Sequence, residues 1–213
     1  MNNAKEIWDP SPANIDRAAA IIRDGGLVVC PSDTNLAITI DPWNERAVQR
    51  VFEVKRRPAT SPLTLFIGNP EDWRIYGEHD EPERVDALIR KFWPGPLNIV
   101  VRTSENAPRP ALIGGSTISI GCLSNPVPQN LIKALGHPVA MTSANLSGQA
   151  NNVLVDVKLA RSQIGADVDA ILDGGAMDTT LSSTIVSLVD DFKVLRQGDL
   201  VVERIWNANH VDG

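Results

Sequence analysis

Apolar positions Ile15, Ala18, Ala19 and Ile22 recur at helical spacing between Pro12 and Arg23, and Gly25-Gly26 ends the pattern. The run Leu27-Val28-Val29-Cys30 that follows is continuous rather than alternating, which predicts a strand buried on both faces of a sheet. Asn44 can cap a helix over residues 45–54, with Val48, Val51 and Phe52 inward. A strand is predicted over 63–67, and the polar stretch Glu78-His79-Asp80-Glu81 predicts a solvated loop. Pro82 suits the first position of a helix reaching Phe92, which Trp93-Pro94-Gly95-Pro96 terminates. Strands are predicted over 97–101 and 117–122, separated by a loop at Gly114-Gly115. Asn125-Pro126 opens a helix that Gly136 closes, and a short strand follows at 139–141. A helix over 155–164 and strands at 170–172, 184–188 and 193–195 complete the pattern.

This alternation predicts an α/β fold: a twisted, open, mixed β-sheet flanked by helices. A length of 213 residues allows one large domain or two small ones. Repeats and low-complexity segments are absent, so a single domain over 1–203 with a C-terminal tail at 204–213 is expected.

Composition changes this picture little. Hydrophobic residues make up 43% and charged residues 22%, as in an ordinary globular chain. The net charge of −6 argues against a basic overall surface and long nucleic acids as obvious ligands, while leaving room for a local basic cleft. Cys30 and Cys122 lie inside apolar runs and read as buried, reduced thiols. His79, His137 and His210 are scattered, so no metal-ligand spacing appears. The first residues lack the apolar core of a signal peptide, and no run approaches the roughly 20 apolar residues that cross a bilayer. A cytoplasmic location without a membrane partner is the expectation.

Candidate chemistry begins at Lys55-Arg56-Arg57-Pro58, a knot of positive charge at the end of a predicted helix. Arginine recognises phosphate through a planar fork and lysine through a point charge, although cations also complement the dipole at many helix ends. Pro58 and Ser61-Pro62-Leu63 restrict the path of the loop beyond, which favours a binding role. Thr142-Ser143-Ala144-Asn145-Leu146-Ser147-Gly148 places small hydroxyl and amide groups at the exit of a strand, where they serve either a ligand or a turn. Pro31-Ser32-Asp33-Thr34 follows the first buried strand, at the carboxyl end where α/β proteins bind ligands. Ser182-Ser183-Thr184 and Leu195-Arg196-Gln197-Gly198 could close the other side of a phosphate pocket. The chain has no P-loop, dinucleotide fingerprint or histidine-based triad motif, and Trp43 and Trp93, beside prolines, read as packing residues.

Taken in order, these segments resemble the YrdC-like family, whose best-known members are threonylcarbamoyl-AMP synthases. The resemblance runs over about 15–200 and includes Gly25-Gly26, Pro31-Ser32-Asp33-Thr34, Asp41-Pro42 and Lys55-Arg56-Arg57-Pro58. It continues through Phe92-Trp93-Pro94-Gly95-Pro96-Leu97, the 142–148 motif, Asp173-Gly174-Gly175, Ser183-Thr184 and Leu195-Arg196-Gln197-Gly198. It implies a YrdC-like fold with a concave basic cleft. The implied reaction joins bicarbonate and L-threonine, then transfers the adenylyl group of ATP to give threonylcarbamoyl-adenylate and pyrophosphate. The product would serve tRNA modification beside the anticodon, with a tRNA or a tRNA-modification enzyme as partner.

By motif, Lys55, Arg57, Ser143 and Asn145 match the family's central polar tetrad. Arg57, Ser61, Thr117, Ser143 and Arg196 match its ATP contacts, and Thr34 and Ser183 match positions near the amino acid. Mg²⁺ would arrive as the nucleotide complex. The reaction needs neutralisation of triphosphate charge and alignment of a carbamate oxygen with the α-phosphate, for which Lys, Arg, Ser and Asn suffice.

The chain departs from the family pattern at Leu36, Ala37 and Phe66, and most pointedly at Gly121-Cys122-Leu123, where relatives carry Arg-x-Pro. That arginine would hold the threonine carboxylate through a charge-assisted hydrogen bond worth roughly 1.5–3 kcal/mol. Either another group, such as Arg102 or Arg109, supplies the carboxylate contact, or the chain takes a different carbamate or acyl substrate. A non-catalytic module binding nucleotide or RNA through the basic knot is the third reading.

Overall fold

Burial explains most of the elements. The structure is a computed structural model and describes residues 6–57, 62–149, 153–174 and 179–202. Strand β1 (Ile7–Trp8) precedes helix α1 (Pro12–Arg23), which has proline in its first turn and buries Ile15, Ala18, Ala19 and Ile22. The helix stops as the sequence predicts: Gly25 adopts φ +80°, its N–H donates to Ile22 O at 2.9 Å, and Gly26 N–H donates to Ile21 O at 2.8 Å.

Strand β2 (Val28–Pro31) then turns through residues 32–35 into β3 (Leu36–Ile40), antiparallel to it. The sequence pattern assigns no strand to β3. Its residues are all buried, but Ala37 and Thr39 interrupt the large apolar side chains that mark its neighbours. Helix α2 (Glu45–Lys55) begins with the predicted cap, Asn44 Oδ1 accepting from Ala47 N–H at 3.1 Å.

Next come β4 (Thr64–Phe66), a 3-10 turn at Pro70–Asp72, the single-turn helix α3 (Trp73–Tyr76) and the two-residue β5 (Gly77–Glu78). Glu78 thus belongs to a short strand rather than to the predicted loop, because β5 pairs with the end of β6. Helix α4 (Pro82–Phe92) has the predicted bounds. Strand β6 (Leu97–Thr103), the short helix α5 (Arg109–Leu112), β7 (Thr117–Gly121), α6 (Pro126–Leu135) and β8 (Val139–Ser143) follow.

Helix α7 (Val157–Ile164) starts later than the pattern predicts, because Asp156 caps it through Leu159 N–H at 2.7 Å. Val155 remains extended, donating to Asn35 Oδ1 at 2.7 Å and accepting from Leu36 N–H at 2.8 Å. Strands β9 (Ala170–Leu172), β10 (Thr184–Ser187) and β11 (Lys193–Arg196) complete the chain.

Among the described residues, eleven strands form one mixed, open sheet in the order β1-β9-β2-β3-β8-β4-β7-β6-β10-β11, with β5 paired to β6. This is the predicted α/β architecture. Three apolar clusters hold it: α4 packs under β6, β7 and β10, α2 and α7 cover one face around β3, and α1 and α6 cover the other face of β2 and β8. Thr117 and Ser119 of β7, with Ser187 of β10, are half-buried, so part of the sheet's second face stays open across β7, β6 and β10. The expected tail at 204–213 lies outside the described residues. Among the described residues no helix is long and apolar enough to cross a membrane. Both cysteines are free and buried, and burial pushes the thiols up, to about 12 for Cys30 and about 11 for Cys122.

Candidate functional site

The basic knot is shaped by a backbone that favours glycine. Arg56 ends α2 in the left-handed region at φ 48°, its N–H donating to Glu53 O and that of Arg57 to Phe52 O, each at 3.0 Å. For a residue with a Cβ this conformation costs roughly 1–2 kcal/mol. It sends three neighbouring cations in different directions: Lys55 inward, Arg56 to solvent and Arg57 to a pocket.

Lys55 is 3% exposed. Its ammonium donates to the carbonyl of Ser143, to that of Asn145 at 2.9 Å and, at 3.5 Å, to Ser143 Oγ. Burial, and secondarily the charge of Arg57, pushes its pKa down to about 8. Ser147 N–H returns to Lys55 O at 3.0 Å. The end of α2 and the exit of β8 are therefore fastened together, and the Lys55 head is used up in that fastening.

Beside it lies a cavity of about 280 Å³, walled by Thr34, Arg57, Ser143, Ser183 and Arg196 among others. A second recess of about 370 Å³ adjoins it, sharing Asn35, Ser143, Ser182 and Arg196 and adding Asn145. No carboxylate is among the described residues lining either recess. Arg57 and Arg196 form no ion pair among the described residues, and burial holds each guanidinium below its usual pKa. Arg196 Nε donates to Ser183 O at 2.9 Å, which aims the rest of the fork into the cavity. Asn145 donates through Nδ2 to Leu146 O at 2.7 Å, while its buried Oδ1 has no partner among the described residues.

Loops distant in sequence meet at the other wall. Thr34 Oγ1 and Ser183 Oγ are 3.3 Å apart, and Asn35 Nδ2 donates to Ser182 Oγ at 3.0 Å. The motif at Arg196-Gln197-Gly198 has a packing reason: a Cβ on Gly198 would lie 2.3 Å from Ser182 O and 2.7 Å from Thr184 N. Asp199 adds bonds to Thr180 N–H at 2.9 Å and Oγ1 at 2.7 Å, fixing the loop that carries both serines.

The structure thus brings together Thr34, Arg57, Ser143, Ser183 and Arg196, and places Asn145 in the adjoining recess. Lys55 stands behind the wall. Thr117 is on β7, four positions before Gly121 on the same sheet face, and does not line the cavity. Ser61 and Pro58 lie outside the described residues. Asp33 is structural, its carboxylate accepting from Ser124 N–H at 3.0 Å and Asn125 N–H at 2.8 Å. Trp93 packs as predicted, buried with Nε1 donating to Leu97 O at 2.7 Å.

Sequence reading missed Asn35 and Asn98 in the wall and treated Phe66 only as a departure. Asn98 of β6, Gly121 of β7 and Phe66 of β4 are paired across adjacent strands, with Ile185 of β10 beyond Asn98. Paired residues share a face, so this row forms a floor of the cavity. A Cβ on Gly121 would stand 2.5 Å from Asn98 Oδ1 and 2.6 Å from Phe66 Cε1. The space an arginine would need is filled. Arg102 does not compensate: it is tied to Val189 O at 3.1 Å and Asp80 Oδ1 at 2.5 Å, and neither it nor Arg109 lines the cavity.

Among curated proteins, threonylcarbamoyl-AMP synthase of Pyrococcus abyssi is 34% identical over 189 residues, 88% of this chain and 55% of that protein. The chain thus spans little more than half of that relative. The crystal structure of P. abyssi Sua5 complexed with L-threonine superposes with a TM-score of 0.84 at 30% identity, covering 95% of this chain and 59% of the other. Escherichia coli YciO shares the fold at a TM-score of 0.83 and 24% identity, covering 94% of this chain and 99% of the other. The family model Sua5_yciO_yrdC, described as "Telomere recombination", matches residues 20–198. With nearly all of the described sheet inside that match, the chain belongs to the Sua5/YciO/YrdC family.

Proposed function

We propose that the chain is an L-threonylcarbamoyladenylate synthase, converting ATP, L-threonine and bicarbonate to threonylcarbamoyl-AMP and pyrophosphate. The observation that carries this reading is the cavity wall itself: Arg57 and Arg196 face it without carboxylate partners, among hydroxyl and amide groups. Two guanidiniums without counter-ions among the described residues, Arg57 half-buried and Arg196 exposed at the rim, make a receptor for polyphosphate. The names of relatives and the threonine bound by P. abyssi Sua5 agree with it.

In this reading Arg57, Ser143 and Arg196 hold the triphosphate and offset charge on the departing pyrophosphate. The carbamate of threonine, formed when its amine displaces water from bicarbonate, presents an oxygen to the α-phosphorus; the new P–O bond forms as the bond to pyrophosphate breaks. Thr34 and Ser183 lie at the amino-acid end, and Asn145 reaches the nucleotide from the adjoining recess. Lys55 acts as a positioning residue through the carbonyls of Ser143 and Asn145. Ser61 and Thr117 are further candidate nucleotide contacts. Mg²⁺ would arrive with ATP, held by its phosphate oxygens. The product would then pass to tRNA modification in the cytoplasm.

The test is pyrophosphate release by purified protein with ATP, bicarbonate and threonine. Release that depends on both co-substrates is expected, and release independent of threonine would overturn the assignment. The filled space at Gly121 favours a second reading, in which another amine replaces threonine, and the same assay across an amine panel decides between them.

A further inference from the structure

One amide ties together three stretches of chain where the two recesses meet. Asn35 is 8% exposed and lines both of them. Its Oδ1 accepts from Val155 N–H at 2.7 Å, and its Nδ2 donates to Ser182 Oγ at 3.0 Å and to Thr34 Oγ1 at 3.3 Å. A main-chain N–H can only donate, so the contact with Val155 fixes which end of the amide is oxygen. Both N–H bonds of Nδ2 are then committed to hydroxyl oxygens. The turn beneath is held as firmly: Ser32 Oγ donates to Asn35 O at 2.7 Å and accepts from Asn35 N–H at 3.0 Å.

That polarity passes to the hydroxyls. Ser182 Oγ accepts from the amide, which leaves its own hydrogen to donate elsewhere. Thr34 Oγ1 also accepts from the amide, and it lies 3.3 Å from Ser183 Oγ. Whichever of those two donates to the other, one hydroxyl hydrogen of the pair remains. Thr34, Ser182 and Ser183 all line the cavity, so this wall presents donors, as an anionic oxygen requires. We infer that Asn35 is a positioning residue: it turns these hydroxyls into donors for an anionic oxygen of the amino-acid substrate. The inference rests on the adenylate-forming reading above. The wall holds that oxygen without the guanidinium that is absent at Gly121.

The test measures KM for L-threonine and for ATP in ATP-pyrophosphate exchange with bicarbonate. Asn35→Leu keeps the volume and removes the amide. Threonine KM should rise by about tenfold, the worth of one charge-assisted hydrogen bond, while ATP KM stays within about twofold. A residue that merely supports the fold would move both constants together. Ser182→Ala removes one of the hydroxyls, and in that background Asn35→Leu should cost distinctly less, because the two groups act as a unit. Should Asn35→Leu fail to fold, Asn35→Asp replaces it: the carboxylate still accepts from Val155 N–H but offers the hydroxyls no donor. L-threonine methyl ester identifies the anion. A penalty that disappears with the ester assigns the oxygen to the carboxylate, and an equal penalty assigns it to the carbamate. Equal rises in both KM values, or additive effects of Asn35→Leu and Ser182→Ala, overturn the inference alone. Wild-type protein that binds ATP and supports no threonine-dependent exchange overturns the adenylation reading, and the inference with it.

Discussion

The Lys55 ammonium donates to the main-chain carbonyl of Asn145 at 2.9 Å, tying the last residue of α2 to the turn that leaves β8. The cation most conspicuous in the sequence therefore serves the protein's own backbone, and its neighbour Arg57 faces the cavity. Lys55→Met should lower turnover by about one to two decades, the cost expected of a small misplacement of reacting groups. ATP affinity should fall much less. Steady-state kinetics beside direct ATP titration separates the two effects.

The same lysine gives a pH signature. Its pKa is about 8 in the folded protein and 10.5 as the ordinary value, so between these values the unfolded chain binds the extra proton. Stability from this group is then fully present above the higher value and is lost as pH falls through the lower one. Urea midpoints measured from pH 7.5 to 10.5 should include a rising contribution in wild-type protein that is absent in Lys55→Met. Parallel curves for the two proteins would refute the buried-lysine assignment.

Arg57→Ala should weaken ATP binding by about one to two decades, the worth of a charge-assisted contact. Arg57→Lys should restore only part of it, because a point charge replaces a planar fork. Unchanged affinity in the alanine variant would remove Arg57 from the phosphate site.

Arg56→Gly should stabilise the protein by about 1 kcal/mol by relieving the left-handed backbone, raising Tm by roughly 2–4 °C. Because Arg56 is exposed and outside the cavity wall, ATP affinity should not change. Calorimetry with and without nucleotide reads both quantities.

Gly198→Ala should destabilise by about 1–3 kcal/mol, since the new methyl group meets Ser182 O and the strain must be relieved by moving the loop. The KM for the amine should rise more than that for ATP, because that loop carries Ser182 and Ser183.

Elements with a strong local signature were legible in advance. The stripe of α1 with its glycine stop, the Asn44 cap and the proline start of α4 each rest on neighbours in sequence, and each stands where the pattern places it. Strand β3 was not legible, because its alanine and threonine are buried by β2 and β8 rather than by their own hydrophobicity. For the site, the motifs around Arg57, Ser143, Ser183 and Arg196 pointed to residues that converge, since arginines and hydroxyls in an acidic chain are conspicuous. Asn98 was silent: an asparagine inside an apolar run looks like an irregularity until strand register sets it beside Gly121. Lys55 was read as a chemical group because sequence cannot tell a head that faces a ligand from one that faces a carbonyl.

The cavity takes its walls from residues as far apart as Ser32 and Arg196. Such a site exists only when segments distant in sequence are docked together on the central strands, across long loops whose closure is costly. On the proposed function, nucleotide binding is accordingly a readout of full assembly. A ligand that recognises only this finished state shifts the folding equilibrium by mass action, by about 2.7 kcal/mol at a concentration one hundred times its Kd. On the proposed function, ATP would thus act as the domain's stabiliser as well as its substrate.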